Sequence, residues 1–450
     1  MARYREIWNL AWPVSISTST VTLLTLVNLF WIGHLGTDAV AAVSLCGNIL
    51  FIVFGISNVV YTGALAIVAR RIGEKNHAAA FRAAFHGVSL GALLGVAVAV
   101  IGRSLAPALV AFFDTGATVE SLSVSYLRIM LLGQIPLYVT VALSASYQAG
   151  GDARTPMLIN VAIVLINGVI DPFFIFEPRA IAFASLPLGW LGWGTDGGAV
   201  AAALSGLVGA VAFLLLSLLR GRPFKRPAQE RWALSAEQLW RVARIGAPAS
   251  LSMIARPLST FLLLKVIASF GTAAIAAFGI AVRSFSVNWI PYSGINLAVS
   301  TLVGQRLGAG KVAEAEHVVW RSLLLSSALG VFFCFAYYGL AHQIMLTFDR
   351  EPAVVAAGEP FLELMSLSFL FSAPMLPLGA AMNGAGDTKP PMIVAFLANW
   401  LIKLPLAYLL ALPLSLGVNG VWIGILVSIV FEALAMIVWY RRGTWKTKRV

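Results

Sequence analysis

The chain has 450 residues, of which 59% are hydrophobic and 11% charged, with a net charge of +12 and a mean hydropathy of +0.87. So few charges cannot cover the surface of a water-soluble protein of this size, and a bilayer is the solvent that fits. The positive charge asks for no nucleic acid, because basic loops at an anionic membrane surface account for it.

Helices of about 20 apolar residues span roughly 30 Å of hydrocarbon, and runs of that kind recur along the whole chain. The sequence predicts twelve: Leu10–Ile32, Val43–Val68, Gly87–Ile101, Ser121–Tyr147, Met157–Phe176, Ala199–Leu219, Val242–Phe270, Ile280–Val303, Val318–Ala341, Phe361–Met382, Met392–Ala411 and Val418–Tyr440. They lack strict alternation and several exceed twenty residues, so a barrel of ~10-residue strands fits poorly. An all-α membrane protein is expected. The opening MARYREIWNLAW carries no small-residue cleavage site, so the first run is expected to stay as an anchor. Cys46 and Cys334 fall inside runs and read as small apolar packing residues rather than a disulfide.

Basic residues orient the chain. With the N-terminus inside, the inner segments hold 23 of the 31 Lys and Arg, from Arg3 and Arg5 through Arg220, Arg222, Lys225, Arg226 and Arg231 to Arg449. The opposite side holds Arg103, Arg179 and Arg350. This asymmetry places both termini in the cytoplasm, and an inner (plasma) membrane is expected.

The chain repeats itself. "QAGGDARTPM" at Gln148–Met157 returns as "NGAGDTKPPM" at Asn383–Met392, 235 positions later. The same shift lays Pro13 on Pro248, "GTDAVAA" from Gly36 on "GTAAIAA" from Gly271, and "VARRIG" from Val68 on "VGQRLG" from Val303. Beyond the fifth run the offset falls to 223, which leaves twelve extra residues in an outer loop at Glu177–Gly192. Two parallel halves of six spans follow, related by a pseudo-two-fold axis along the membrane normal. The expected organisation is an N-terminal lobe over 1–220, a cytoplasmic linker over 221–239 and a C-terminal lobe over 240–450. The repeated phrase reads as a tight turn and is assigned no chemistry.

Charges deep in a span cost roughly 2.5–3.5 kcal/mol on insertion scales and ask for a partner or a role. In the fifth run Asn160, Asn167 and Asp171, seven and four residues apart, share one narrow helical face, which suits a cavity better than lipid. Pro172 deprives a carbonyl one turn back of its amide partner. A proton or Na⁺ neutralising Asp171 could bias the helix between straight and bent; an aspartate capped by neighbouring hydroxyls is the structural alternative. In the second half Arg256 precedes Pro257 and Lys403 lies near mid-depth before Pro405. Glu432 and Glu363 are candidate ion-pair partners, and the alternative is a basic patch that repels organic cations and attracts carboxylates, sulfonates or phosphates. Trp400, three residues before Lys403, could stack on a flat ligand.

No enzyme signature survives inspection. The five His form no metal pair at helical spacing, and "GAGDTK" lacks the ending of a phosphate loop. No cofactor is expected beyond a coupling ion.

The phrases "WIGHLGTDAVAAVSL", "NGVIDPFFIF", "VGQRLGAGKVAEAE" and "NGAGDTKPP", in this order and spacing, resemble the multidrug and toxic compound extrusion (MATE) family of exporters. The resemblance implies twelve helices in two six-helix lobes and a central cavity that exports amphiphilic organic cations against an inward flow of H⁺ or Na⁺. It sets Asn167 and Asp171 on the family's first-lobe cation site. The chain departs at Asn28, where relatives carry an aspartate, at Ala202, where they often carry a threonine, and at Arg256, where many carry a glutamate. A single coupling-ion site at Asp171, supported by Asn167 and Asn28, is therefore expected, with Asn160, Arg256, Lys403 and Trp400 lining the substrate cavity. The partners expected are a small-molecule substrate and membrane lipid, with no nucleic acid and a monomeric chain. An organic-anion exporter and a flippase for a lipid-linked precursor are the rival readings.

Overall fold

The computed structural model of the chain describes residues 4–177, 191–220, 233–448 and 450. Arg3, Arg179, Arg222, Lys225, Arg226, Arg231 and Arg449, most of the expected linker and most of the expected outer loop lie outside the described residues.

Every predicted run falls on helix, and no strand occurs among the described residues. The first half comprises α1 (Tyr4–Gly33), α2 (Thr37–Gly73), α3 (His77–Ala111), α4 (Ala117–Leu132), α5 (Gln134–Ala149), α6 (Arg154–Ile175) and α7 (Gly194–Arg220). The second comprises α8 (Ala236–Ala268), α9 (Thr272–Ser286), α10 (Trp289–Gly308), α11 (Val312–Phe348), α12 (Pro352–Gly384), α13 (Lys389–Phe396), a π-helical stretch at Leu397–Lys403, α14 (Leu404–Ala411), α15 (Gly417–Arg441) and a single turn, α16 (Thr444–Thr447).

Among the described residues ten helices are long and apolar enough to cross a membrane, with α13, the π stretch and α14 counted together, and two bent pairs, each taken as one span, bring the number to twelve. The pairs are α4 with α5, bent by 41°, and α9 with α10, bent by 46°. Pro136 and Pro291 are each the third residue of the second limb. A proline there removes an amide from the ladder just where the axis turns. The bends fall in the fourth span of one half and the second span of the other, so they do not follow the sequence repeat.

Two compact units emerge, one of residues 1–15, 69–75 and 247–450, the other of 16–68 and 76–246. Within the first unit the ends of α2 and α10 meet through glycines: a Cβ on Gly73 would stand 2.0 Å from the Gln305 carbonyl oxygen, and one on Gly308 would stand 2.1 Å from that of Arg70. Gly73 and Gly308 are 235 positions apart, as are Arg70 and Gln305, so each half meets the other's copy of one sequence. The start of α1 packs on α10 in the same unit, where Gly294 lies against the Ala11 carbonyl oxygen, 2.3 Å from an added Cβ. In the second unit the start of α8 packs on α2, where a Cβ on Gly246 would meet the Val59 carbonyl oxygen at 1.7 Å.

The twice-written phrase is a helix terminator. Gly151 and Gly386 take φ of +89° and +80°, the left-handed conformation that glycine adopts without a Cβ penalty. In both copies the following aspartate's N–H reaches back five residues, Asp152 to the Tyr147 carbonyl (3.0 Å) and Asp387 to that of Met382 (2.9 Å), closing α5 and α12 with the same motif. The side chains then diverge. Asp152 accepts the N–H groups of Arg154 (3.1 Å) and Thr155 (3.0 Å) and the Thr155 hydroxyl (2.7 Å), capping α6. Pro390 stands where Thr155 stood and has no N–H, so the Asp387 carboxylate turns elsewhere. It accepts the Thr444 hydroxyl at 2.7 Å and pairs with Lys448 at 3.3 Å, which holds the C-terminal turn. Lys446 adds an ion pair to Glu316, and Trp445 is fully buried.

Candidate functional site

Asp171 lies on α6 with no exposed surface, and so does Asn167 one turn earlier. The Asn167 side chain donates to Asp171 Oδ1 at 2.9 Å, and Asn28 of α1 donates to Oδ2 at 3.4 Å. One turn or two further back Asn160 donates to the Ser17 hydroxyl of α1 at 2.6 Å. The polar stripe of α6 is thus turned toward α1 and used along its length. Ile175 of α6 and Ile32 of α1, each four residues beyond its polar neighbour, belong to one buried apolar cluster with Tyr126, Leu127 and Ala199. Gly198 of α7 closes the site, since a Cβ there would stand 3.6 Å from the Asn28 amide nitrogen.

This arrangement leaves oxygen to spare. Asn167 Oδ1 is buried with no hydrogen-bond partner. Pro172 has no N–H to offer the Gly168 carbonyl. Rotating either amide by half a turn exchanges its donor for its acceptor, so the same three residues hold a carboxylate through two N–H groups or turn oxygen toward a bound cation or an acid proton. Asn28 brings an amide that donates or accepts but does not titrate.

The second half builds a core of the opposite sign. Lys403 closes the π-helical stretch and is 4% exposed. Its ammonium donates to Asn399 Oδ1 at 2.9 Å and to the Thr260 hydroxyl of α8 at 3.2 Å, and Asn399 is fixed by its own bond to the Ala395 carbonyl at 2.9 Å. Arg256 of α8 pairs through Nη2 with Glu432 of α15, a carboxylate that is 6% exposed, while its own side chain is 40% exposed. Of the two carboxylates anticipated for it, Glu432 is the partner, and Glu363 is half-buried on α12. Trp400 does not present its N–H to a ligand: Nε1 donates to the Ala255 carbonyl at 3.1 Å, and the ring stacks on Phe396 with centroids 5.9 Å apart.

Residues Asn28, Asn167 and Asp171 lie 232 positions before Thr260, Asn399 and Lys403 respectively. The contacts match as well: a charged group four residues after an asparagine, bound to it and to a side chain 143 residues earlier. The shift is three residues short of the general repeat, so the second copy sits nearly one helical turn away. Thr260 and Asn399 are the residues that sequence reasoning passed over. An asparagine four places before a buried charge, on the fifth run of each half, is the signal that would have found them.

The MatE family model matches residues 13–173 and 248–409, once in each half. The chain is 25% identical over 450 residues to a probable multidrug resistance protein NorM of Thermotoga maritima, covering 99% of this chain and 94% of that one. A MATE crystal structure in complex with MaD3S superposes with a TM-score of 0.88 at 22% identity, covering 98% and 97% of the two chains. A MOP superfamily transporter from Pyrococcus furiosus, described as having a binding pocket of reversed polarity that suggests a different function, also gives 0.88, at 24% identity over 98% and 96%.

Proposed function

The chain belongs to the MatE family of multidrug efflux transporters, integral membrane proteins and not enzymes, and within it we propose a secondary exporter whose coupling ion binds at Asp171. The observation that carries this reading is a carboxylate with no exposed surface, gripped by two amides, beside the unsatisfied oxygen of Asn167. Such a group is costly as a bare anion in an apolar bundle and is relieved by a proton or a Na⁺. Ion occupancy would change what Asn28 and Asn167 must satisfy, and with it the packing of α6 on α1. The cycle we propose is antiport by alternating access, with H⁺ or Na⁺ entering and a small amphiphilic organic molecule leaving. The orientation that goes with it has both termini in the cytoplasm and the chain in an inner or plasma membrane, supported by the charge asymmetry. The chain is read as a working monomer.

The test is uptake in proteoliposomes under an imposed pH or Na⁺ gradient, for the natural chain and Asp171→Asn. Gradient-driven transport is expected to vanish in the variant while the protein remains folded. Normal transport by Asp171→Asn under both gradients would remove the coupling site.

A further inference from the structure

The second polar core holds two cations and one carboxylate, and its ammonium is held by neutral oxygens alone. A Lys ammonium has three N–H donors; Asn399 and Thr260 take two, and the third has no acceptor among the described residues. The guanidinium of Arg256 gives Nη2 to Glu432 and is otherwise free to donate, with two-fifths of its side chain accessible. An unmatched positive charge inside an apolar bundle is costly unless an anion joins it. Pro257 and Pro405 follow Arg256 and Lys403 by one and two residues, each depriving a carbonyl one turn back of its amide. Trp400 ties the two helices together through the Ala255 carbonyl beside Arg256.

We infer that Arg256 and Lys403, positioned by Glu432, Asn399 and Thr260, form a subsite for the oxyanion head of a ligand, a carboxylate, sulfonate or phosphate. The charge-reversed copy of the Asp171 site thereby takes a ligand of reversed charge. Trp400, stacked on Phe396 and bonded to the carbonyl of the residue before Arg256, sets an aromatic ring beside the subsite, so an aromatic or amphiphilic anion suits it better than an inorganic one. This inference rests on the reading of the chain as an exporter and names its cargo class.

It is tested by isothermal titration calorimetry on the full chain in neutral detergent, at equilibrium and with no gradient. The outcome is then independent of whether Asp171 couples transport, which the proteoliposome experiment decides. The probes are para-aminohippurate as a soluble aromatic carboxylate, dioctanoyl phosphatidylglycerol as a lipid phosphate, and tetraphenylphosphonium as a cation of comparable bulk. At least one anion is expected to bind in preference to tetraphenylphosphonium, para-aminohippurate marking soluble cargo and the phosphatidylglycerol marking a lipid head. Affinity for that anion is expected to fall at least tenfold in Lys403→Gln and in the double variant Arg256→Gln/Glu432→Gln, which removes both members of the ion pair together. Failure of both anions to bind the natural chain, preference for tetraphenylphosphonium, or undiminished binding in both variants would overturn the subsite.

Discussion

Asp171 and Lys403 have contacts of one form, each bonded to an asparagine four residues before it and to a side chain 143 residues before it on the first helix of its half. The pattern recurs three residues out of step with the general repeat, and with the charge reversed. In the first half the asparagine presents N–H groups to a carboxylate, and in the second it presents oxygen to an ammonium. The small amide serves either sign because it carries both a donor and an acceptor.

Lys403→Met is a direct test of whether the ammonium serves the fold or a ligand. Methionine keeps the length of the aliphatic stem, removes the charge, and leaves Asn399 and Thr260 with acceptors that can shift to neighbouring groups. A buried charge held only by neutral partners contributes little net stability, so thermal unfolding in detergent is expected within about 2 °C of the natural chain, or above it. A large fall would make Lys403 a strut.

Glu432 should behave in the opposite way. Glu432→Gln strips from a core that still holds Arg256 and Lys403 the one carboxylate paired there among the described residues, and is expected to destabilise by about 1–3 kcal/mol, less than for a fully buried pair because the Arg256 side chain is two-fifths exposed. Arg256→Gln/Glu432→Gln is expected to recover most of that loss. The pair is best read from a double-mutant cycle of unfolding in detergent, where additive single effects would show that the two side chains are not coupled.

Much of this was legible before the structure. Hydrophobic run length alone placed all twelve spans, because the bilayer demands that backbone groups be satisfied within each helix. The 235-residue shift revealed the doubling, and periodicity put Asn160, Asn167 and Asp171 on one face. What the sequence concealed was the destination of that face. Asn160 and Asp171 meet Ser17 and Asn28, contacts set by how α6 packs on α1, which no local pattern encodes. The bends before Pro136 and Pro291 were hidden for the same reason, since a proline early in a limb is compatible with a straight helix start as well as with a break. The repeated phrase was recognised as a turn, but the divergence of its aspartates depends on one absent N–H, that of Pro390, and on a C-terminal segment 57 residues away from Asp387.

That divergence predicts different consequences for equivalent substitutions. Asp387→Asn removes the charge that receives Thr444 and Lys448, and hydrogen bonds to a charged acceptor are worth about 1.5–3 kcal/mol. Trypsin is expected to cleave after Arg441 and Arg442 faster in this variant than in the natural chain. Asp152→Asn, which alters the cap of α6 and touches no part of the tail, is expected to leave that cleavage unchanged. Equal protection of the tail in both variants would show that Trp445 and the Lys446–Glu316 pair hold it without Asp387.

The glycines that join α2 to α10 offer a test of the internal symmetry. A methyl group on Gly73 would lie 2.0 Å from the Gln305 carbonyl oxygen and one on Gly308 2.1 Å from that of Arg70, distances that backbone must move to relieve. Overpacking against backbone typically costs about 1–3 kcal/mol. Gly73→Ala and Gly308→Ala are therefore expected to lower the unfolding temperature in detergent by similar amounts, because each reports the same interface from its own side. Gly279→Ala in α9 is the control: nothing lies within 4 Å of the added methyl, and alanine is the better helix former by roughly 0.8–1 kcal/mol, so unfolding should be unchanged or slightly later. A marked loss at Gly73 with none at Gly308 would mean that the two ends do not bear on each other reciprocally, and that the doubling in sequence is not carried into this contact.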